Sequence, residues 1–202
     1  MKPKIMILLL VKHIEKLAES YQKFVYSEDI DNHFLKSRGI EAVILDHDGL
    51  LSGFRDPKPD SEGIRMLNML IKDYGKNRLF VLSNSLSMKR ERASYFLKNF
   101  PTVKYIEAAN KPNIEGLLIA ENLSATKREK IAVIDDGIST GILMAIVGGA
   151  YPIYSKRRGD LHESFKHRLL RLATTLPSIF LVRLLFFFRK ICHLIDNKFK
   201  LS

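Results

Sequence analysis

The run Ala42-Val43-Ile44-Leu45-Asp46-His47-Asp48-Gly49 constrains this chain more than any other stretch. Four consecutive apolar residues that end abruptly in two carboxylates describe a strand buried on both faces, as in a parallel sheet. Its C-terminal end carries the acid, and in open α/β sheets that end faces the crevice where ligands bind. Asp46 and Asp48 would also serve as turn or capping residues, but an aspartate directly after Val43-Ile44-Leu45 is costly to bury without a partner. The pair therefore marks a place for chemistry.

The pattern recurs along the chain. Leu79 to Leu82 and Ile131 to Ile134 are further apolar strands, Val103 to Ala108 and Tyr151 to Tyr154 weaker ones. Between them lie helical patterns. One runs from about Ser61 with Ile64, Leu67, Leu70 and Ile71 on one face, closing at Tyr74-Gly75. Another starts at about Ser87 and turns Ala93, Phe96 and Leu97 inward; a third carries Ile114, Leu117 and Leu118; a fourth spans Ile142 to Val147 and stops at Gly148-Gly149. Asp56-Pro57-Lys58-Pro59 is a turn that cannot lie inside a helix. Strand and helix in strict alternation predict an α/β domain of three layers, a parallel Rossmann-like sheet flanked by helices. Several strands end in polar clusters, Asp46/Asp48, Ser83/Asn84, Asn110/Lys111 and Asp135/Asp136, and a parallel sheet brings such ends to one edge. There, two acidic pairs suit a hard divalent cation such as Mg²⁺, while a hydroxyl and a lysine suit the oxygens of a phosphate. One carboxylate is then placed to attack phosphorus, and its neighbour to exchange protons with the leaving oxygen.

Asp46-His47-Asp48-Gly49, Ser83 after its strand, Lys111-Pro112 and Asp135-Asp136 resemble the four ordered motifs of the haloacid dehalogenase (HAD) superfamily of phosphohydrolases. The resemblance covers about residues 40–154. It implies a Mg²⁺-dependent phosphomonoester hydrolase with Asp46 as the nucleophile that forms an aspartyl-phosphate. Asp48 would be the general acid/base, its backbone carbonyl also on the metal. Ser83, Asn84 and Lys111 would bind the phosphoryl group. Asp136 would complete the metal site, with Asp135 either a ligand itself or the acid behind it. The bland alternatives are a strand-end turn for Ser83 and a solvated loop charge for Lys111; His47 is expected to point away and pack, and Cys192 to be inert. Two positions depart from the family pattern, Leu50 where Thr or Val is usual and Gly141 where a further Asp is common. Together they make a slow or non-catalytic binding protein the alternative, unless Asp135 substitutes.

The intervals from Asp48 to Ser83 and from Ser83 to Lys111 are too short for a large cap domain, so the pocket is expected to be open to a phosphate presented on something large. Charge points to what that is. The chain carries a formal +11, and residues 156–202 hold eleven Lys/Arg against three Asp/Glu. A nucleic acid is the less favoured anionic partner. From Ile179 to Ile195 the tail places Phe180, Leu184, Phe187, Phe188, Ile191 and Ile195 opposite Arg183, Arg189, Lys190 and His193. It falls short of the ~20 clean apolar residues that span a bilayer, and has the pattern of an interfacial helix attracted to anionic lipid; the alternative is a helix that packs on the domain or oligomerises, with a solvated basic face. At the other end the apolar run Ile5 to Val11 is at the short limit for the core of a secretory signal and is followed by charged residues with no small-residue cleavage site, so secretion is not expected. Ile14, Leu17, Ala18, Tyr21 and Val25 continue at helical spacing, predicting an amphipathic helix that docks on the domain or lies on a bilayer. The expected organisation is an N-terminal helical segment at 1–38, the catalytic domain at 39–160 and the basic tail at 161–202.

Within the superfamily the chain is most similar to the capless phosphatidylglycerophosphate phosphatases of mitochondrial and bacterial type. The residues that carry this are Leu82-Ser83-Asn84-Ser85, Ala109-Asn110-Lys111-Pro112 and Thr140 after the last acids. This implies a lipid-headgroup phosphate as substrate and an anionic membrane surface as partner. A peripheral place on a cytoplasmic or matrix-type membrane face follows, in a reducing compartment that suits the lone cysteine. The alternative substrate is a protein or nucleic-acid phosphate handled by a soluble enzyme.

Overall fold

A computed structural model describes residues 3–107, 110–158, 179–184 and 186–187 of the chain. Six parallel strands form the sheet: β1 (Val25–Tyr26), β2 (Ala42–Asp46), β3 (Leu79–Leu82), β4 (Lys104–Ile106), β5 (Ile131–Asp135) and β6 (Tyr151–Lys156), in the spatial order β1-β6-β5-β2-β3-β4. From β2 the chain winds outward through β3 to β4, then returns to the other side of β2 for β5 and β6. This reversal leaves a crevice beyond the carboxyl ends of β2 and β5, the switch point of a doubly wound sheet.

The central strands read as apolar runs because both of their faces are covered. Val43, Leu45, Leu79, Val81, Ala132 and Ile134 pack with Met66, Leu67 and Leu70 of α4 (Ser61–Tyr74) and Phe96 of α5 (Lys89–Asn99). Their alternate neighbours Ala42, Ile44, Phe80, Leu82, Ile131 and Val133 pack on the opposite side with Leu117 and Ala120 of α6 (Glu115–Ser124) and Met144 and Ala145 of α7 (Leu143–Gly148). Helix α4 starts where Asp60 accepts the Gly63 N–H at 2.9 Å, and α7 stops where Gly149 takes φ +78°. Between Asp48 and β3 there is only a loop and α4, and between Ser83 and β4 only a short 3₁₀ turn and α5, so neither interval holds a cap domain.

Two expectations are corrected. Leu97 is not inward but 77% exposed, and the buried residues of α5 are Arg92 and Phe96. Val25 does not continue the N-terminal helix. The segment breaks into α1 (Pro3–Lys12) and α2 (Ile14–Gln22), after which Val25–Tyr26 pairs with Ser155–Lys156 as the edge strand β1, and the short helix α3 (Asn32–Lys36) leads on to β2.

A third apolar cluster joins Leu10 of α1 and Ile14 and Leu17 of α2 to Ile138, Ile142, Leu143 and Ile146 and to Tyr154 of β6. Val182 of the helical residues 179–184 is buried in the same cluster. Ala108, Ala109 and the tail residues 161–178 and 188–202 lie outside the described residues. No helix among the described residues is long and apolar enough to cross a membrane.

Because Leu17 is fully buried against the helix that follows the second acidic pair, the N-terminal segment belongs to the folding unit. Leu17→Ala is expected to cost about 2–4 kcal/mol, as a large-to-small change in a packed core does. Urea unfolding checks this; a change below about 0.5 kcal/mol would mean that α2 is not part of the cooperative unit.

Candidate active site

β2 ends at Asp46 and turns sharply through Asp48 and Gly49. Gly49 has φ +88°, and a Cβ there would stand 2.1 Å from an Asp136 carboxylate oxygen, so both conformation and space demand glycine. β5 ends beside it in Asp135 and Asp136. The Lys111 side chain reaches between the two strands, its ammonium donating to Asp46 Oδ1 at 2.5 Å and to Asp135 Oδ2 at 2.6 Å. All three side chains are below 10% exposed. Asn84 fixes the loop that carries the lysine: its amide donates to the Lys111 carbonyl at 3.0 Å and accepts the Lys111 N–H at 2.9 Å. The structure thus commits Asn84, expected to touch phosphate, to holding the Lys111 backbone.

Asp46, Asp135 and Asp136 each present a carboxylate oxygen within 4.8 Å of the others. Burial raises the Asp46 carboxyl well above the usual carboxylate range, and Asp135 raises it further, while Lys111 works in the opposite direction. Lys111 itself is raised: its burial would favour the neutral amine, but Asp135 and Asp46 outweigh that. Asp46 and Asp135 are buried and Asp136 partly so, and this close all-oxygen donor set fits one hard divalent cation such as Mg²⁺.

Asp48 belongs to a separate, electrically balanced group. Arg92, completely buried, grips it with two nearly parallel bonds, Nη2 to Oδ1 and Nη1 to Oδ2, both 2.8 Å. Arg92 also donates from Nη1 to Ser83 Oγ at 2.6 Å, and from Nε and Nη2 to the Asp56 carbonyl at 3.0 and 2.8 Å. Its five N–H donors are all used. Asp48 further accepts the Arg55 N–H at 2.7 Å and the Ser83 hydroxyl at 2.8 Å. Burial alone would raise the Asp48 carboxyl, but the Arg92 bonds and charge and the Arg55 N–H bring it below its ordinary value.

Nothing in the sequence marked Arg92. It sits in the charged run Lys89-Arg90-Glu91-Arg92, which reads as a solvated helix face. The one signal was energetic: an aspartate buried near a core strand calls for a cation, and Arg92 lies four residues before the inward Phe96. His47 is buried as expected. Its Nδ1 lies 2.9 Å from the Ser52 hydroxyl and its ring meets Phe96 edge-on, and burial followed by the Arg92 charge pushes its pKa down to about 3, so it is neutral.

The two departures from the family pattern have physical reasons. Leu50 is a core residue, 1% exposed. Gly141 lies in the π-helical turn Ile138–Ile142, where a Cβ would stand 2.0 Å from Asp135 Oδ2 and 2.6 Å from the Asp135 Cβ. Asp135, pinned by Lys111 and by the Gly137 N–H at 2.6 Å, fills the volume that a side chain at 141 would need.

The site lies within the span of a recognisable family. A family model described as mitochondrial PGP phosphatase matches residues 2–158. Among solved structures, a HAD family enzyme from Bacteroides thetaiotaomicron matches at 15% sequence identity and a TM-score of 0.42, over 65% of this chain and 98% of that one. No curated protein matches the chain.

Two substitutions probe the site. Arg92→Ala strands the Asp48 carboxylate and is expected to cost about 3 kcal/mol or more, with Arg92→Lys recovering only part because an ammonium cannot make the paired bonds. Chemical denaturation measures both, and equal stability of all three proteins would contradict the geometry. Gly141→Asp, although it supplies the acid common in the family, is expected to lower stability by about 1–3 kcal/mol through overpacking against Asp135. A rise in Tm with tighter Mg²⁺ binding would show that Asp135 is free to move.

Proposed function

This chain belongs to the mitochondrial PGP phosphatase family, and on that premise we propose that it hydrolyses the terminal phosphomonoester of phosphatidylglycerophosphate to give phosphatidylglycerol and phosphate. The chain is a phosphatase; the lipid substrate, the aspartyl-phosphate route and the residue roles are the parts proposed. The observation that carries them is the placement of Asp46 at the strand end, buried, with the Lys111 ammonium on one oxygen and a second acidic pair across the crevice.

Asp46, Asp136 and the Asp48 carbonyl would hold Mg²⁺, with Asp135 beside them. When bound, the cation would neutralise phosphate charge and help orient the phosphoryl group for in-line attack. Asp46 attacks phosphorus through a carboxylate oxygen; the bond from phosphorus to the glycerol oxygen breaks, and the electron pair leaves with that oxygen, which takes a proton from Asp48. Lys111 stabilises the non-bridging oxygens as charge develops on them. A water then attacks the aspartyl-phosphate and gives its proton to Asp48. The bond from phosphorus to Asp46 breaks, regenerating the carboxylate and releasing phosphate. Asp48 rests as an anion saturated by four donors, so before it can protonate the leaving oxygen one of them must let go and a proton must be taken up from solvent; the proton it later takes from water restores this acid form for the next turnover. The Ser83 hydroxyl, turning from Asp48 to a phosphoryl oxygen, is the smallest such exchange, and it suits Ser83 to phosphate binding.

A phosphate on a lipid headgroup fits the crevice, since neither interval holds a cap domain to enclose a small metabolite. A peripheral membrane place, on a matrix-type or cytoplasmic face, follows from such a substrate.

Phosphate release from phosphatidylglycerophosphate in mixed micelles tests the assignment. Asp46→Asn is expected to reduce the rate by about 10³-fold or more, as loss of a nucleophile does, and chelation of divalent cations to abolish it, with Mg²⁺ restoring it. Full activity of Asp46→Asn, or activity indifferent to chelation, would overturn the mechanism.

A further inference from the structure

Helix α1 buries one edge and exposes another that is equally apolar. Leu10 is packed against the π-helical turn and α7, while Ile5, Ile7, Leu8 and Val11 are 44–68% exposed. The helical residues 179–184 repeat this arrangement from the other end of the chain. Val182 is buried in the cluster that holds Leu10, and Phe180 and Leu184 are exposed, as is Phe187 beyond them. Large apolar side chains concentrated on two elements that share one cluster differ from singly scattered surface residues, and mark an interaction site.

Two further observations say what covers it. The first is charge. Lys12 and Lys16 are exposed immediately after this edge of α1, and exposed Arg183, held by its 2.8 Å bond to the Tyr21 hydroxyl, stands between Phe180 and Leu184 in the sequence. The chain as a whole is +11, with most of the excess after residue 155. Apolar residues interleaved with basic ones match the interface of an anionic bilayer, where the rings and aliphatic side chains enter the acyl boundary and the cations stay at the headgroups. The second is position. Leu9 of α1 and Val147 of α7 line one side of a hollow of about 340 Å³ whose other side is Asn110, Pro112, Asn113 and Ile114. The loop that forms this wall also carries Lys111. Through half-buried Leu9, α1 therefore reaches the loop that supplies the ammonium to Asp46.

The geometry points to α1 and the 179–187 segment as a docking surface for an anionic lipid bilayer, with the hollow beside Leu9 as the place where the glycerol and upper acyl part of a lipid phosphomonoester rests while its phosphate reaches Asp46. This deepens the lipid-phosphate assignment and rests on it. Together the first and the last described helices set the depth and tilt at which the open crevice meets the headgroup layer.

The test uses the full chain, wild type and an Ile7→Asp/Leu8→Asp variant, with Leu123→Asp as an exposed-leucine control on α6 (Leu123 is 48% exposed). Co-sedimentation with phosphatidylcholine vesicles containing phosphatidylglycerol is read beside two rates, phosphate release from phosphatidylglycerophosphate in those vesicles and from p-nitrophenyl phosphate in solution. The expected result is salt-sensitive vesicle binding by wild type and control, and at least a tenfold loss of binding in the variant. The ratio of vesicle rate to solution rate is expected to fall at least tenfold with it. If the double variant does not fold by circular dichroism, Leu8→Ser replaces it with an expected threefold effect. Unchanged binding and ratio in the folded variant would overturn the docking surface, as would equal losses in Leu123→Asp. So would a fall in oligomer mass of the variant without lipid, which would mean that a second copy covers this face. Variant-sensitive vesicle binding by a wild type that hydrolyses p-nitrophenyl phosphate but not phosphatidylglycerophosphate would leave the docking surface standing and remove the substrate assignment.

Discussion

The Lys111 ammonium, held between Asp46 and Asp135, is the contact on which the rest of the structure depends. It ties a loop beyond β4 to the ends of β2 and β5, and so closes the crevice at the point where the winding of the sheet reverses. Carboxylates at the ends of buried strands carry a desolvation cost that apolar packing cannot offset, and they persist only where charge is returned to them. Lys111 returns one charge to three carboxylates. The oxygen donors gathered there, from Asp46, Asp135 and Asp136, are of the kind that fits a hard divalent cation.

Asp48 is handled by a different device. Its charge is cancelled inside the protein by Arg92, whose five donors are distributed over Asp48, Ser83 and the Asp56 carbonyl. Two aspartates one residue apart in sequence thus end in separate electrostatic environments, one short of positive charge and one fully balanced. That division suits the roles proposed for them, one as nucleophile and the other for proton exchange. The same economy of space explains Gly141 and Gly49. Each gives its Cβ volume to a carboxylate of the second acidic pair, Asp135 and Asp136 respectively, so the glycines are part of how the acids are packed.

The N-terminal helices fit this picture as more than an appendage. α1 and α2 cover the π-helical turn that follows the acidic pair and the helix α7 beyond it, and β1 extends the sheet past β6. Packing there supports the backbone that presents Asp135 and Asp136. It also brings Leu9 of α1 to a hollow shared with the loop that carries Lys111.

The sequence by itself determined the layered parallel sheet and the convergence of Asp46, Asp48, Ser83, Lys111, Asp135 and Asp136. Apolar runs ending in polar residues can be buried only as central parallel strands, and parallelism puts their ends on one edge. Its periodicity also placed β3 at Leu79–Leu82 and α4 from about Ser61 to a close at Tyr74-Gly75, where the structure has Ser61–Tyr74. Only the tertiary structure decided which charges meet. Arg92 looked like a solvated helix residue because its neighbours in the run are charged. Asn84 holds the Lys111 backbone, and the space at Gly141, where the family pattern has a further acid, is filled by Asp135. The physical reason is common to all three: ion pairing and excluded volume are properties of space, set by chain crossings 44, 27 and 6 residues apart, and a one-dimensional pattern carries periodicity but no distances.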